Sequence, residues 1–115
     1  MRMSGREKET SGDALIWRGG RVIINQPCII GRAENNDVVL GDAEVSRQHA
    51  MIFNHGGKWW LNDMGSRNGV RVNGVRLTHS HCLRDGDEVL IGAHKLVFQA
   101  AGEARPRSRI RGPMT

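Results

Sequence analysis

The chain has 115 residues, with 17 Lys+Arg against 12 Asp+Glu and a formal net charge of +5. That length holds one domain with short tails and a core that needs no metal or disulfide staple. No stretch approaches the ~18 apolar residues of a membrane span, and residues 1–13 lack an apolar signal core, so a cytoplasmic location is expected (nuclear in a eukaryote).

In chain order, the first segment is polar and electrically balanced, with three basic and three acidic residues in 1–13. Short β-branched or alternating runs then dominate. Ala14 to Trp17 and Arg21 to Ile24 read as strands joined across Gly19-Gly20. Pro27 to Gly31 and Asp37 to Leu40 are the next two. Arg47 to Phe53 alternates, which would place His49, Met51 and Phe53 on one face and Ala50 and Ile52 on the other. Lys58 to Asn62 follows a His55-Gly56-Gly57 turn, with Trp59 and Trp60 pointing to opposite faces. Val70 to Val72 and Val75 to Leu77 flank Asn73-Gly74, a hairpin signal. His79-Ser80-His81-Cys82 reads as a loop with chance histidines; without a second cluster it is a weak metal motif, and no metal or cofactor is expected. Glu88 to Ile91 and His94 to Ala100 close the series. No window longer than ten residues holds a helical apolar period, and fifteen glycines together with many short strands argue an all-β sandwich with its polar chemistry on loops.

The charge is uneven. Residues 14–100 carry ten basic and eight acidic residues, whereas Arg105, Arg107, Arg109 and Arg111 against Glu103 leave the C-terminal tail at +3. Such a tail can touch nucleic acid or acidic partners through general electrostatics, but it reads as a solvated end. Cys28 and Cys82 are far apart, each beside apolar neighbours; two buried reduced thiols are expected, with a disulfide left open by sequence.

The loops hold the chemistry. Arg32 leaves a strand end after Gly31, which would permit a backbone turn there, and a guanidinium at a loop mouth can fork onto two phosphate oxygens. Ser46-Arg47 opens the next run and is followed by His49, read as a structural ring that sets Ser46 in place. No nucleophile–base pairing is signalled, so enzyme activity is not expected. Asp63 to Gly69 is a dense turn with Ser66, Arg67 and Asn68, whose amide suits a peptide main chain. There is no GxxxxGK[ST], GxGxxG or nucleophile elbow.

The ordered set Gly31-Arg32, Ser46-Arg47-x-His49-Ala50, Ser66-x-Asn68-Gly69, x-Asn73-Gly74, with the closing Leu83-Arg84-Asp85-Gly86-Asp87-Glu88-Val89-Leu90-Ile91-Gly92, resembles the forkhead-associated (FHA) domain over about residues 14 to 99. The resemblance implies a sandwich of about eleven short, mostly antiparallel strands (SMAD/FHA-like). Its loops at one end would bind threonine-phosphorylated proteins: a kinase substrate or the kinase itself, not a membrane or nucleic acid. The chain itself reads as a domain over 13–100, with 1–12 and 101–115 expected to be disordered tails. The resemblance would place Arg32, Ser46, Arg47, Ser66, Arg67 and Asn68 on the phosphopeptide, and Gly31, His49, Gly69 and Asn73 in support of the binding loops. Val70 stands where many members carry threonine. An unphosphorylated partner, or nucleic acid held by the basic tail, is the alternative reading. By the same resemblance Thr10 could be a phosphorylated self-ligand.

Overall fold

The computed structural model describes residues 12–101; Thr10 and the arginine run from 105 to 111 lie outside them. Among the described residues there is no helix, and so none long and apolar enough to cross a membrane. Eleven strands form: β1 Ala14–Trp17, β2 Gly20–Ile23, β3 Cys28–Gly31, β4 Val38–Val39, β5 Ala50–His55, β6 Lys58–Asp63, β7 Val70–Val72, β8 Val75–Arg76, β9 His81–Cys82, β10 Glu88–Ile91 and β11 His94–Gln99.

They make two sheets, one ordered β2-β1-β11-β10-β7-β8 and the other β4-β3-β5-β6-β9. The pairings are antiparallel except β3 with β4. Parallel neighbours usually need a long crossover; here residues 32–37 suffice because Asp37 grips Ile29 twice. Its N–H donates to the Ile29 carbonyl at 3.0 Å and its Oδ2 accepts from the Ile29 N–H at 2.8 Å. The inward residues of both sheets, among them Leu15, Ile30, Ile52, Leu61, Ile91 and Leu96, are sealed from solvent between the layers. The domain's two ends meet at Asp13, which accepts from Trp59 Nε1 at 3.0 Å and from the Ala101 N–H at 2.7 Å. Trp60 points outward instead, donating to the His55 carbonyl at 3.2 Å.

Two sequence readings change. The segment 79–82 is not simply a loop: His81–Cys82 is an edge strand paired with Trp60 and Leu61. His81 and Cys82 carry no β-branched or alternating apolar pattern, which is why ten runs and not eleven are visible in the sequence. The strand expected from Arg47 begins only at Ala50, and 46–49 is bent. Cys28 and Cys82 are free thiols. Burial, and secondarily the Asp37 carboxylate, pushes the Cys28 thiol up to about 12, which makes it a poor nucleophile.

Candidate functional site

The site is built at the end of the sandwich where β3 stops. A side chain at Gly31 would collide with the Arg47 backbone carbonyl and the Asn36 amide, and Gly31 is not among the left-handed glycines. Glycine is therefore required there for close approach of two backbones, not for the turn that its position before Arg32 suggests. The approach lets the Arg32 N–H donate to Ser46 O at 3.0 Å and the Ala33 N–H to Arg47 O at 3.2 Å. Asn36 Nδ2 adds a 2.7 Å bond to the same Arg47 carbonyl. Loops 32–37 and 41–49 are thus stitched together through main chain.

Arg32 Nε donates to the Val45 carbonyl at 3.0 Å. That fixes the guanidinium plane and leaves four of its five N–H groups for an anion. Ser46 sits across from it. The Ser46 hydroxyl accepts from the Arg67 backbone N–H at 3.1 Å, so its own proton remains to be donated. Asn68 Nδ2 donates to the Glu44 carbonyl at 2.8 Å, which pins the amide and leaves its Oδ1 for an external N–H. Arg32, Ser46, Arg67 and Asn68 line one small cleft with Ala43, Glu44 and Val45. Arg47 lines the adjoining cleft on the other flank of Arg32, with Ala33, Glu34 and Asn35.

Underneath lies His49, with no solvent exposure. The Ser46 N–H donates to its Nδ1 at 3.0 Å, so Nδ1 is an acceptor; Nε2 then carries the proton and donates to the Gly69 carbonyl at 2.8 Å. One neutral ring ties the Ser46 loop to the Asn68 loop. This bond pattern is why 46–49 bends instead of extending, and why Arg47 and His49 do not share a strand face as the alternation suggests. His49 is buried below the loops while Arg47 is exposed above them.

Two expected residues fall elsewhere. Ser66 Oγ donates to Asp63 Oδ2 at 3.1 Å and accepts from the Gly69 N–H at 2.9 Å, while its N–H bonds Asp63 Oδ1 at 2.8 Å. Its hydroxyl proton is taken by the turn and it does not line the cleft; its bonds shape the loop. Asn73 supports no binding loop: it sits past the far end of β7 from Gly69, donating to Asp87 Oδ1 at 3.0 Å and accepting from the Glu88 N–H at 2.9 Å. Gly69, by contrast, is at the site, with a φ of 82°.

Sequence reasoning missed the carbonyls of Glu44 and Val45, which are backbone groups and carry no residue signal. It also missed the Asn36 brace and the role of Asp63 as acceptor of its turn; an acid three positions before a serine is the pattern that could have shown it. No group of three metal-ligating side chains exists among the described residues. His81 bonds Asp87 at 2.8 Å.

A family model for the FHA domain matches residues 28–92. The chain belongs to the FHA family. It is 44% identical over 70 residues to the transcriptional regulatory protein EmbR of Mycobacterium tuberculosis, a match that covers 61% of this chain and 18% of EmbR. It is 39% identical over 108 residues to the oxoglutarate dehydrogenase inhibitor of Corynebacterium efficiens, covering 88% of this chain and 75% of the inhibitor. The structure of M. tuberculosis EmbR in complex with a low-affinity phosphopeptide superposes with a TM-score of 0.73 at 36% identity, over 77% of this FHA chain and 24% of that one.

Proposed function

We propose that this FHA domain is a non-catalytic module that binds threonine-phosphorylated partner proteins, with 13–100 as the binding unit, in the cytoplasm and downstream of a Ser/Thr kinase. The partner is a kinase substrate or the kinase itself. The observation that carries the reading is the convergence of the Arg32 guanidinium and the Ser46 hydroxyl on one cleft that Arg67 also lines, with the Asn68 amide beside it. The likeness to EmbR, whose structure holds a phosphopeptide, supports it.

The chemistry fits a phosphate monoester. Phosphorylation adds about −1.5 to −2 charge at neutral pH. Each charge-assisted hydrogen bond contributes about 1.5–3 kcal/mol net. Ser46 is no nucleophile here: the nearby imidazole holds its Nδ1 on the Ser46 backbone N–H and its Nε2 on Gly69, so neither nitrogen is placed to take the hydroxyl proton.

Titration with a phosphothreonine peptide and its unphosphorylated twin tests the proposal. Binding of the phosphorylated form alone is expected, with Arg32→Ala losing at least about tenfold, since ~1.4 kcal/mol is one decade. Equal binding of both peptides would instead favour an unmodified protein partner.

A further inference from the structure

The β7–β8 hairpin carries two arginines that the phosphate cleft does not use. Arg71 and Arg76 are direct cross-strand partners, and both are exposed on the outer face of the six-stranded sheet while Val70 and Val72 turn inward. Like charges directly opposed on a sheet are destabilising. A fold usually relieves them with a carboxylate, yet neither arginine makes an ion pair with a described residue. The described ion pairs His81–Asp87, His94–Asp42 and Lys95–Glu88 involve neither of them.

Arg76 also lies against the cleft loop. A Cβ built on Gly69 would stand 2.9 Å from its Cζ and 3.0 Å from its Nη2. The guanidinium therefore lies over Gly69, in the same loop that carries Arg67 and Asn68. Arg67, Arg76 and Arg71 thus follow one another from the cleft onto the sheet face, and Gly69 is the residue that lets Arg76 lie down there.

Resting on the phosphopeptide reading, we infer that Arg76 and Arg71 form a cationic shelf that selects partners with acidic residues beside the phosphothreonine. The ligand is then an acidic phosphopeptide whose chain leaves the cleft across Asn68 and Gly69. The shelf gives a use to two opposed cations that have no carboxylate partner among the described residues. An exposed charge pair multiplies affinity by a factor of about 1.4–5, and salt weakens it.

The test uses the full chain and three phosphothreonine peptides, with three glutamates before the phosphothreonine, three after it, or glutamines at all six positions. Fluorescence anisotropy is read at about 0.02 M and about 0.5 M salt, a range over which screening becomes strong. One glutamate peptide is expected to bind about fivefold more tightly than the glutamine peptide at low salt, with the advantage shrinking at high salt. The ratio should fall towards one in the double variant Arg71→Gln/Arg76→Gln and survive in Arg71→Lys/Arg76→Lys. Equal affinities of the native chain for all three peptides overturn the shelf while leaving the phosphate cleft intact, and this comparison needs no variant to fold. A preference that persists in the glutamine double variant also overturns it. Failure of the native chain to bind any of the three overturns the cleft reading and the shelf with it.

Discussion

Ser46 and Arg67 are joined across 21 positions of sequence by a 3.1 Å hydrogen bond from the Arg67 N–H to the Ser46 hydroxyl. The bond spends the Arg67 main-chain proton on the Ser46 oxygen and leaves the hydroxyl proton to be donated into the cleft. Ser46→Ala removes the hydroxyl donor and the acceptor that orients the Arg67 N–H. Affinity for a phosphothreonine peptide should drop by about tenfold or more, the worth of one charge-assisted bond. Arg67→Ala keeps the backbone N–H and loses only an exposed cation, so it should cost about fivefold or less. Calorimetric titration of both variants checks the order; a larger loss for Arg67→Ala would show that its guanidinium, more than the Ser46 hydroxyl, holds the phosphate.

His49 should matter first for stability. His49→Ala leaves the Ser46 N–H and the Gly69 carbonyl without their buried partner and opens a void where a fully enclosed ring stood. An unsatisfied buried group costs about 1–3 kcal/mol and a cavity adds to it, so a loss of about 2–5 kcal/mol is expected. Urea denaturation reads it as a lower midpoint. Peptide affinity should fall as well, because the ring fixes the loops that carry Ser46 and Asn68. His49→Ala with native stability would remove the ring from its bridging role.

The sandwich was legible because strands with an inward apolar face leave a mark at period two, and Asn73-Gly74 marks a hairpin by needing positive φ twice (51° and 86°). The cleft was legible where side chains make it: Arg32, Ser46 and Asn68. It was not legible where main chain makes it. The Glu44 and Val45 carbonyls and the Arg67 N–H are common to every residue type. Gly31 shows the same limit, since its identity in sequence pointed to φ when the cause is the neighbouring Arg47 carbonyl. Asn73 misled because its hydrogen bonds run to Asp87 and Glu88, residues far from it in sequence. Arg76 was invisible because its place over Gly69 depends on how β8 pairs with β7.

Gly31→Ala tests the close approach directly. The added methyl meets the Arg47 backbone carbonyl as well as the Asn36 side-chain amide, so the 32–37 and 41–49 loops must separate. Overpacking of this kind costs about 1–3 kcal/mol. Separation would also lengthen the Arg32 N–H bond to Ser46 O, so affinity and thermal midpoint should fall together. Wild-type affinity in Gly31→Ala would mean the loops relax without moving Arg32.

The end of the sandwich away from the cleft carries the pH dependence. Burial pushes the Asp87 carboxyl up, but hydrogen bonds from His81, Asn73 and the Arg84 N–H, together with the charge on His81, outweigh it and hold the pKa below 3.8. A carboxylate whose pKa is lower in the folded chain than in the unfolded one stabilises the fold above the unfolded value. That contribution is lost as pH falls from about 3.8 through the folded value. Asp87→Asn should therefore be less stable than the native chain at pH 7, with the gap narrowing below pH 4, as followed by denaturant midpoints across the range. Phosphopeptide affinity at pH 7 should be unchanged, because the Asp87 cluster and the Ser46 cleft lie at opposite ends of β10 and β7. A gap that stays constant down to pH 2 would mean that the carboxylate charge does not stabilise this end of the fold.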